Sequence, residues 1–142
     1  MPTHIRHLGI AVHSLEEALP LWRDLLGLEL RAIEEVPAEK VRVAILDAGG
    51  PHIELLEPTA PDAAIARFLD TRGPGIHHLA LGVGDVAEAS SRLQARGLEL
   101  IGAIARPGAG GTRVSFVHPR STGGILLELV DGGAGEGGAP RE

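Results

Sequence analysis

The strongest constraint on this chain is that it repeats itself. Residues 6–12 read RHLGIAV and residues 77–83 read HHLALGV, an offset of 71. At the same offset LEEA (15–18) meets VAEA (86–89), and at 70 the string GLEL recurs at 27–30 and 97–100. IELLE (53–57) meets LELVD (127–131) at 74. Constant order with a small drift in offset is what loop insertions and deletions leave in a duplicated unit. The chain therefore divides into related modules at residues 5–58 and 76–132, joined by a linker at 59–75. With 142 residues it forms a single domain large enough to bury a core without metal or disulfide support.

Local pattern supplies the elements of each module. A β-branched and apolar strand over 5–12 runs to Ser14, a candidate helix cap with Glu17 three residues on. Apolar residues at helical spacing (Leu15, Ala18, Leu19, Trp22, Leu25, Leu26) predict a helix over 15–26, ended by Gly27. Pro20 lies inside that pattern and is expected to kink or shorten it. Strands are predicted at 41–46 and 52–56, then at 76–83, 113–117 and 124–130, with a second helix at 86–96. The linker carries a short helix at 62–70, and the Gly-rich stretch DGGAGEGGAPRE (131–142) is expected to be a flexible tail.

Strand alternation then sorts the polar groups. In the first strand Leu8, Ile10 and Val12 share a bulky face, while His7, Gly9 and Ala11 share the other. The equivalent strand sets Leu79, Leu81 and Val83 against His78, Ala80 and Gly82. A histidine beside small residues leaves room for something that is not protein. The closing strands place Glu54 and Glu128 in the middle of apolar runs, where a carboxylate is costly unless paired or bound to a cation. If the modules pack about a pseudo-twofold axis, His7, Glu54, His78 and Glu128 converge. Two neutral imidazoles and two carboxylates suit one divalent ion: Co, Mn, Fe, Ni or Zn. By alternation His77 falls on the face opposite His78, as a framework residue or a support behind the ligands.

Composition removes other classes. There is no cysteine, hence no disulfide, thiolate nucleophile or Cys-based metal site. A net charge of −6 and only three aromatics (Trp22, Phe68, Phe116) argue against nucleic acid. No apolar run approaches ~18 residues, so no membrane span is expected. The N-terminus lacks a signal-peptide layout, which makes the cytoplasm the expected location. The stretch 107–111 fits neither GxGxxG nor the phosphate-loop pattern, and no Ser/His/Asp arrangement is visible.

At these residues the sequence resembles the vicinal-oxygen-chelate superfamily of glyoxalase I, extradiol dioxygenases and bleomycin-resistance proteins. Within it the sequence is similar to the methylmalonyl-CoA epimerase family, on HLGIAV (7–12), IELLEP (53–58), GIHHLAL (75–81), RPGAGGTRVSFVHP (106–119) and GGILLELV (123–130). The resemblance implies an α+β fold in which two βαβββ modules pair into an open, cup-shaped sheet around a metal. It implies His7, Glu54, His78 and Glu128 as ligands of one divalent ion, cobalt first. It further implies interconversion of (2R)- and (2S)-methylmalonyl-CoA and a homodimer. Removing an α-proton and returning it to the other face needs a Lewis acid and a positioned carboxylate. Glu128 is the expected base. Some relatives carry a Glu where Val43 stands here, so the second base is Glu54, a water, or one mobile base serving both faces. His118, Arg113 and Arg120 are the candidates to meet the CoA thioester. A glyoxalase-I-like isomerase is the alternative activity; a metal-free binding protein would have no need of all four ligands.

Overall fold

The computed structural model describes residues 2–133, and the remainder of the tail expected to be flexible lies outside the described residues. Asp131 and Gly132 belong to the last strand rather than to that tail. The first module runs β1 (His4–Ala11), α1 (Leu15–Leu19), β2 (Glu29–Val36), β3 (Val41–Asp47) and β4 (His52–Pro58). The linker helix α2 (Ala64–Arg72) follows. The second module runs β5 (Gly75–Gly82), α3 (Val86–Ala95), β6 (Leu100–Pro107), β7 (Thr112–Val117) and β8 (Leu127–Gly132). Residues 124–126, expected to open the last strand, precede it instead.

Ser14 caps α1 as the sequence predicts, and Asp85 does the same for α3. Ser14 Oγ accepts the N–H groups of Glu16 and Glu17 at 3.1 and 3.3 Å, and Asp85 accepts that of Glu88 at 3.1 Å. Pro20 ends α1: it has no N–H to return to the preceding turn, and its ring presses on that turn's carbonyl. The chain continues as a π-helix over Pro20–Leu25, whose wider turn lets Leu26 N–H reach Leu21 O at 2.9 Å.

One eight-stranded sheet holds everything, in the order β2-β3-β4-β1-β5-β8-β7-β6. The β1/β4 and β5/β8 pairs are parallel and the modules join through the antiparallel β1/β5 pair. That central register is symmetric about Leu8↔Leu79: His7 faces Ala80, and His78 faces Gly9. Beyond them Glu54 pairs with Gly9 and Glu128 with Ala80. Two rows of residues therefore cross the middle of one face, Glu54–Gly9–His78 and His7–Ala80–Glu128.

The same register contains two bulges. Arg6 is extra between Ile5↔Leu81 and His7↔Ala80, and His77 is extra between Gly9↔His78 and Ile10↔Ile76. Arg6 and His77 are themselves equivalent in the repeat. A bulge sets two residues against one and re-aims a side chain.

The two sheet faces are filled differently. On the outer face α1 covers Val12, Ala44, Leu46 and Leu55, and α3 covers Val83, Val117 and Leu129. Each fully buried leucine there contributes about 1.5–3 kcal/mol by leaving water. On the inner face Ile65 and Leu69 of α2 pack on Ala11, Val36, Val41, Val43, Ile45 and Leu56. Among the described residues, the other half of that face has the small cluster of Ala80, Val114 and Val130, with Phe116 against it. Space for a site opens between the two clusters, where Val36, Val41, Val43 and Leu56 face Val114 and Phe116.

Candidate metal centre

The two central rows carry His7, Glu54, His78 and Glu128 to one place, each buried to 5 % exposure or less. His7 Nε2 and His78 Nε2 are 3.0 Å apart. Glu128 Oε1 lies 2.9 Å from His78 Nε2 and 3.5 Å from His7 Nε2. Glu54 Oε2 stands 3.3 Å from His7 Nδ1. Donor atoms of His7, Glu54 and His78 all fall within 4.8 Å of one another. The modules thus converge as the repeat implied, each contributing one imidazole and one carboxylate.

Small residues beside the histidines serve a purpose different from the one expected. A Cβ at Gly9 would stand 2.1 Å from His78 Cε1, so the space above Gly9 is filled by the imidazole itself. The free space lies beside the rings. A cavity there is floored by Glu54, His78 and Glu128, walled by Val36, Val41, Val43 and Leu56, and edged by Glu39 and Gly108. Val43 therefore faces the cavity and offers it no proton.

His77 faces the cavity as well. Strict alternation puts it on the opposite face from His78, and the bulge at His77 overturns that expectation: both rings lie on one side, with Nδ1 to Nδ1 at 2.9 Å. A bulge shifts the phase of the alternation without changing composition, and nothing in the composition of this strand signals it. His77 also stacks edge-on against Phe68 of α2, centroids 5.0 Å apart.

The electrostatics suit a cation. Burial pushes the Glu128 carboxyl toward its neutral form, but the imidazoles of His7 and His78 outweigh it and hold the group at about 2. Burial, then the neighbouring His78, lowers His77 to about 4, leaving it neutral at pH 7. Two imidazoles and two carboxylates brought side by side in a buried place form a donor set that one divalent ion suits. The spacing agrees. A cation bonded at about 2.0–2.1 Å to nitrogen and oxygen donors sets neighbouring donors roughly 2.9–3.4 Å apart, close to the 2.9, 3.0 and 3.5 Å separations among His7, His78 and Glu128. The residues fit the group.

The three residues expected to meet the thioester each have protein partners. Arg113 leaves β7 on the side opposite Val114 and Phe116 and grips Asp131 with two bonds of 3.0 and 2.6 Å, with Asp85 at 3.5 Å. It lines neither large cavity. His118 Nδ1 caps the turn Pro119–Ser121 by accepting Arg120 N–H at 2.9 Å. Exposed Arg120 turns back to Glu99 at 3.3 Å. Two other arginines do border a cavity. A groove shares Ala64, His77 and His78 with the first and runs past Arg67, Phe68 and Arg72 of α2 to Gly124 and Ile125.

Residues 6–116 match the Glyoxalase/Bleomycin resistance protein/Dioxygenase superfamily. An ethylmalonyl-CoA/methylmalonyl-CoA epimerase from Cereibacter sphaeroides is 36% identical over 127 residues, which cover 88% of this chain and 95% of that protein. The crystal structure of methylmalonyl-CoA epimerase from Mycobacterium tuberculosis superposes with a TM-score of 0.86 at 39% identity, over 91% of this chain and 87% of that one. A methylmalonyl-CoA epimerase in complex with methylmalonyl-CoA and NH4+ superposes equally well, TM-score 0.86, at 34% identity over 92% and 94% of the two chains. This chain belongs to the glyoxalase/bleomycin resistance/dioxygenase superfamily and, within it, to the methylmalonyl-CoA epimerase family.

Proposed function

We propose that this chain interconverts (2R)- and (2S)-methylmalonyl-CoA by taking the C2 proton from one face and returning it to the other. The observation that carries the proposal is the buried His7–Glu54–His78–Glu128 cluster, three of whose members (Glu54, His78 and Glu128) floor a largely apolar cavity, in a chain whose relatives are named as epimerases of this thioester. Those names favour it over a glyoxalase-I-like isomerase. His7, Glu54, His78 and Glu128 would hold one divalent ion, cobalt being the first to try. When bound, the ion supplies Lewis-acid stabilisation for the charge that develops as the C2 proton leaves.

The chain's own groups do the rest. Glu128 is ionised at neutral pH and borders the cavity, so it is placed to accept the C2 proton. Glu54 enters from the opposite module and borders the same cavity, so it is placed to serve the other face. Val36, Val41, Val43 and Leu56 keep the walls dry and strengthen each charge interaction inside. The second groove offers the rest of the thioester a path outward, with Arg67 and Arg72 toward its phosphates and Phe68 and Ile125 toward its apolar parts.

Proton NMR of methylmalonyl-CoA in D₂O, with metal-stripped and cobalt-reconstituted protein, tests this. Deuterium is expected at C2 only with metal, and Glu128→Gln should slow its entry by about 10²–10⁴-fold. Exchange by stripped protein would refute the ligand assignment. No exchange by cobalt-loaded protein would refute the substrate.

A further inference from the structure

An imidazole whose Nε2 offers a lone pair must carry its proton on Nδ1, and that proton needs an acceptor once the ring is buried. His78 meets both conditions. Its Nε2 faces His7 and Glu128 at 3.0 and 2.9 Å. Its Nδ1 lies 2.9 Å from Nδ1 of His77, and both residues are on one side because His77 is the extra residue of the β5 bulge. The His78 ring is otherwise confined by surfaces that accept no proton. Gly9 lies beneath it, and Phe116 stands edge-on at 5.9 Å between centroids. His77 is anchored from behind by Phe68.

We infer that His77 is a positioning residue for the metal centre: brought beside His78 by the bulge, it accepts the Nδ1–H of His78 and holds the tautomer whose Nε2 lone pair faces His7 and Glu128. This rests on the metal-centre assignment made above. His77 itself touches neither the ion nor the substrate's reacting carbon; it acts through His78. Its own proton then sits on Nε2, and the repeat-equivalent Arg6 shares none of this task, since its guanidinium donates to Gly132 O at 3.0 Å.

Cobalt titration by calorimetry, on three variants beside the full-length wild type, separates the possibilities. His77→Phe keeps a ring against Phe68 and removes the acceptor. His77→Asn restores an acceptor oxygen where Nδ1 stood, and His78→Ala removes the ligand. His77→Phe should weaken Co²⁺ binding about 10–100-fold, and His77→Asn should recover most of the loss. Binding by His77→Phe within twofold of wild type overturns the positioning role, as does a loss that His77→Asn shares in full. Equal binding by wild type and His78→Ala would instead overturn the metal centre itself. Should His77→Phe fail to fold, nitrogen-15 NMR of the Zn²⁺-loaded wild type decides alone. His78 must be protonated on Nδ1 and His77 on Nε2; a proton on Nδ1 of His77 refutes the inference.

Discussion

Adding one methyl group at Gly9 should disable the centre without replacing any of its four donors. A Cβ there stands 2.1 Å from His78 Cε1 and 2.6 Å from both ring nitrogens. Carbon atoms rest at roughly 3.5 Å, so the ring has to retreat by roughly 1.4 Å. Gly9 cannot give way instead, because β1 is paired on both sides, Gly9 facing Glu54 on one and His78 on the other. A retreat of that size takes Nε2 away from contacts of 2.9 and 3.0 Å. Gly9→Ala should therefore lower Co²⁺ affinity at least 100-fold, about 2.8 kcal/mol, and cost the metal-free protein about 1–3 kcal/mol through overpacking. Gly84→Ala is the control: an added Cβ there meets nothing within 4 Å, so affinity and stability should hold within about 0.5 kcal/mol. Calorimetric titration and urea unfolding of both variants measure the two effects. Gly9→Ala binding cobalt within threefold of wild type would refute the claim that the His78 ring occupies this space and that its placement matters.

Two further outcomes are expected. Asp131 accepts Val86 N–H at 2.7 Å and both bonds of Arg113; burial favours its neutral form, but the bonds from Arg113 and Val86 win and hold its pKa below the ordinary value. Its contribution is whole above the unfolded-state pKa of about 3.9 and fades as pH falls through the folded value. Asp131→Asn should cost on the order of 2 kcal/mol at pH 7, and urea curves should show that gap closing in acid; a gap that persists there counts against the charge-based account. Arg67→Ala and Arg72→Ala should each raise KM for the CoA thioester roughly tenfold and leave kcat and the KM of a thioester lacking the nucleotide unchanged; an unchanged KM removes the groove from the substrate's path.

What the sequence could reveal depended on periodicity. His7, Glu54, His78 and Glu128 stood out because polar residues interrupt apolar alternation at corresponding places in two repeats, and alternation assigns them to one face. Ser14 caps its helix through contacts local to the chain. His77 was assigned to the wrong face because a bulge shifts the phase without changing composition. The bond from Arg113 to Asp131 is hidden from local pattern, because its partner lies eighteen residues away across the β7/β8 pair. The place of α2 was equally hidden: amphipathicity shows that Ile65 and Leu69 seek a partner surface, and only the assembled sheet decides that it is the inner one. Arg67 and Arg72 gain interest only from that placement.

The paired bulges show what joining two modules in one chain permits. A single module associating with its own copy would build a symmetric centre from one histidine and one glutamate given twice, and any change in it would appear on both sides at once. Here the two copies can diverge. At equivalent extra residues one strand has Arg6, tied to the backbone of the last strand, and the other has His77, turned to the cavity. Fusion lets one half specialise as scaffold while the other refines the chemistry, with the shared axis still running between the two histidines.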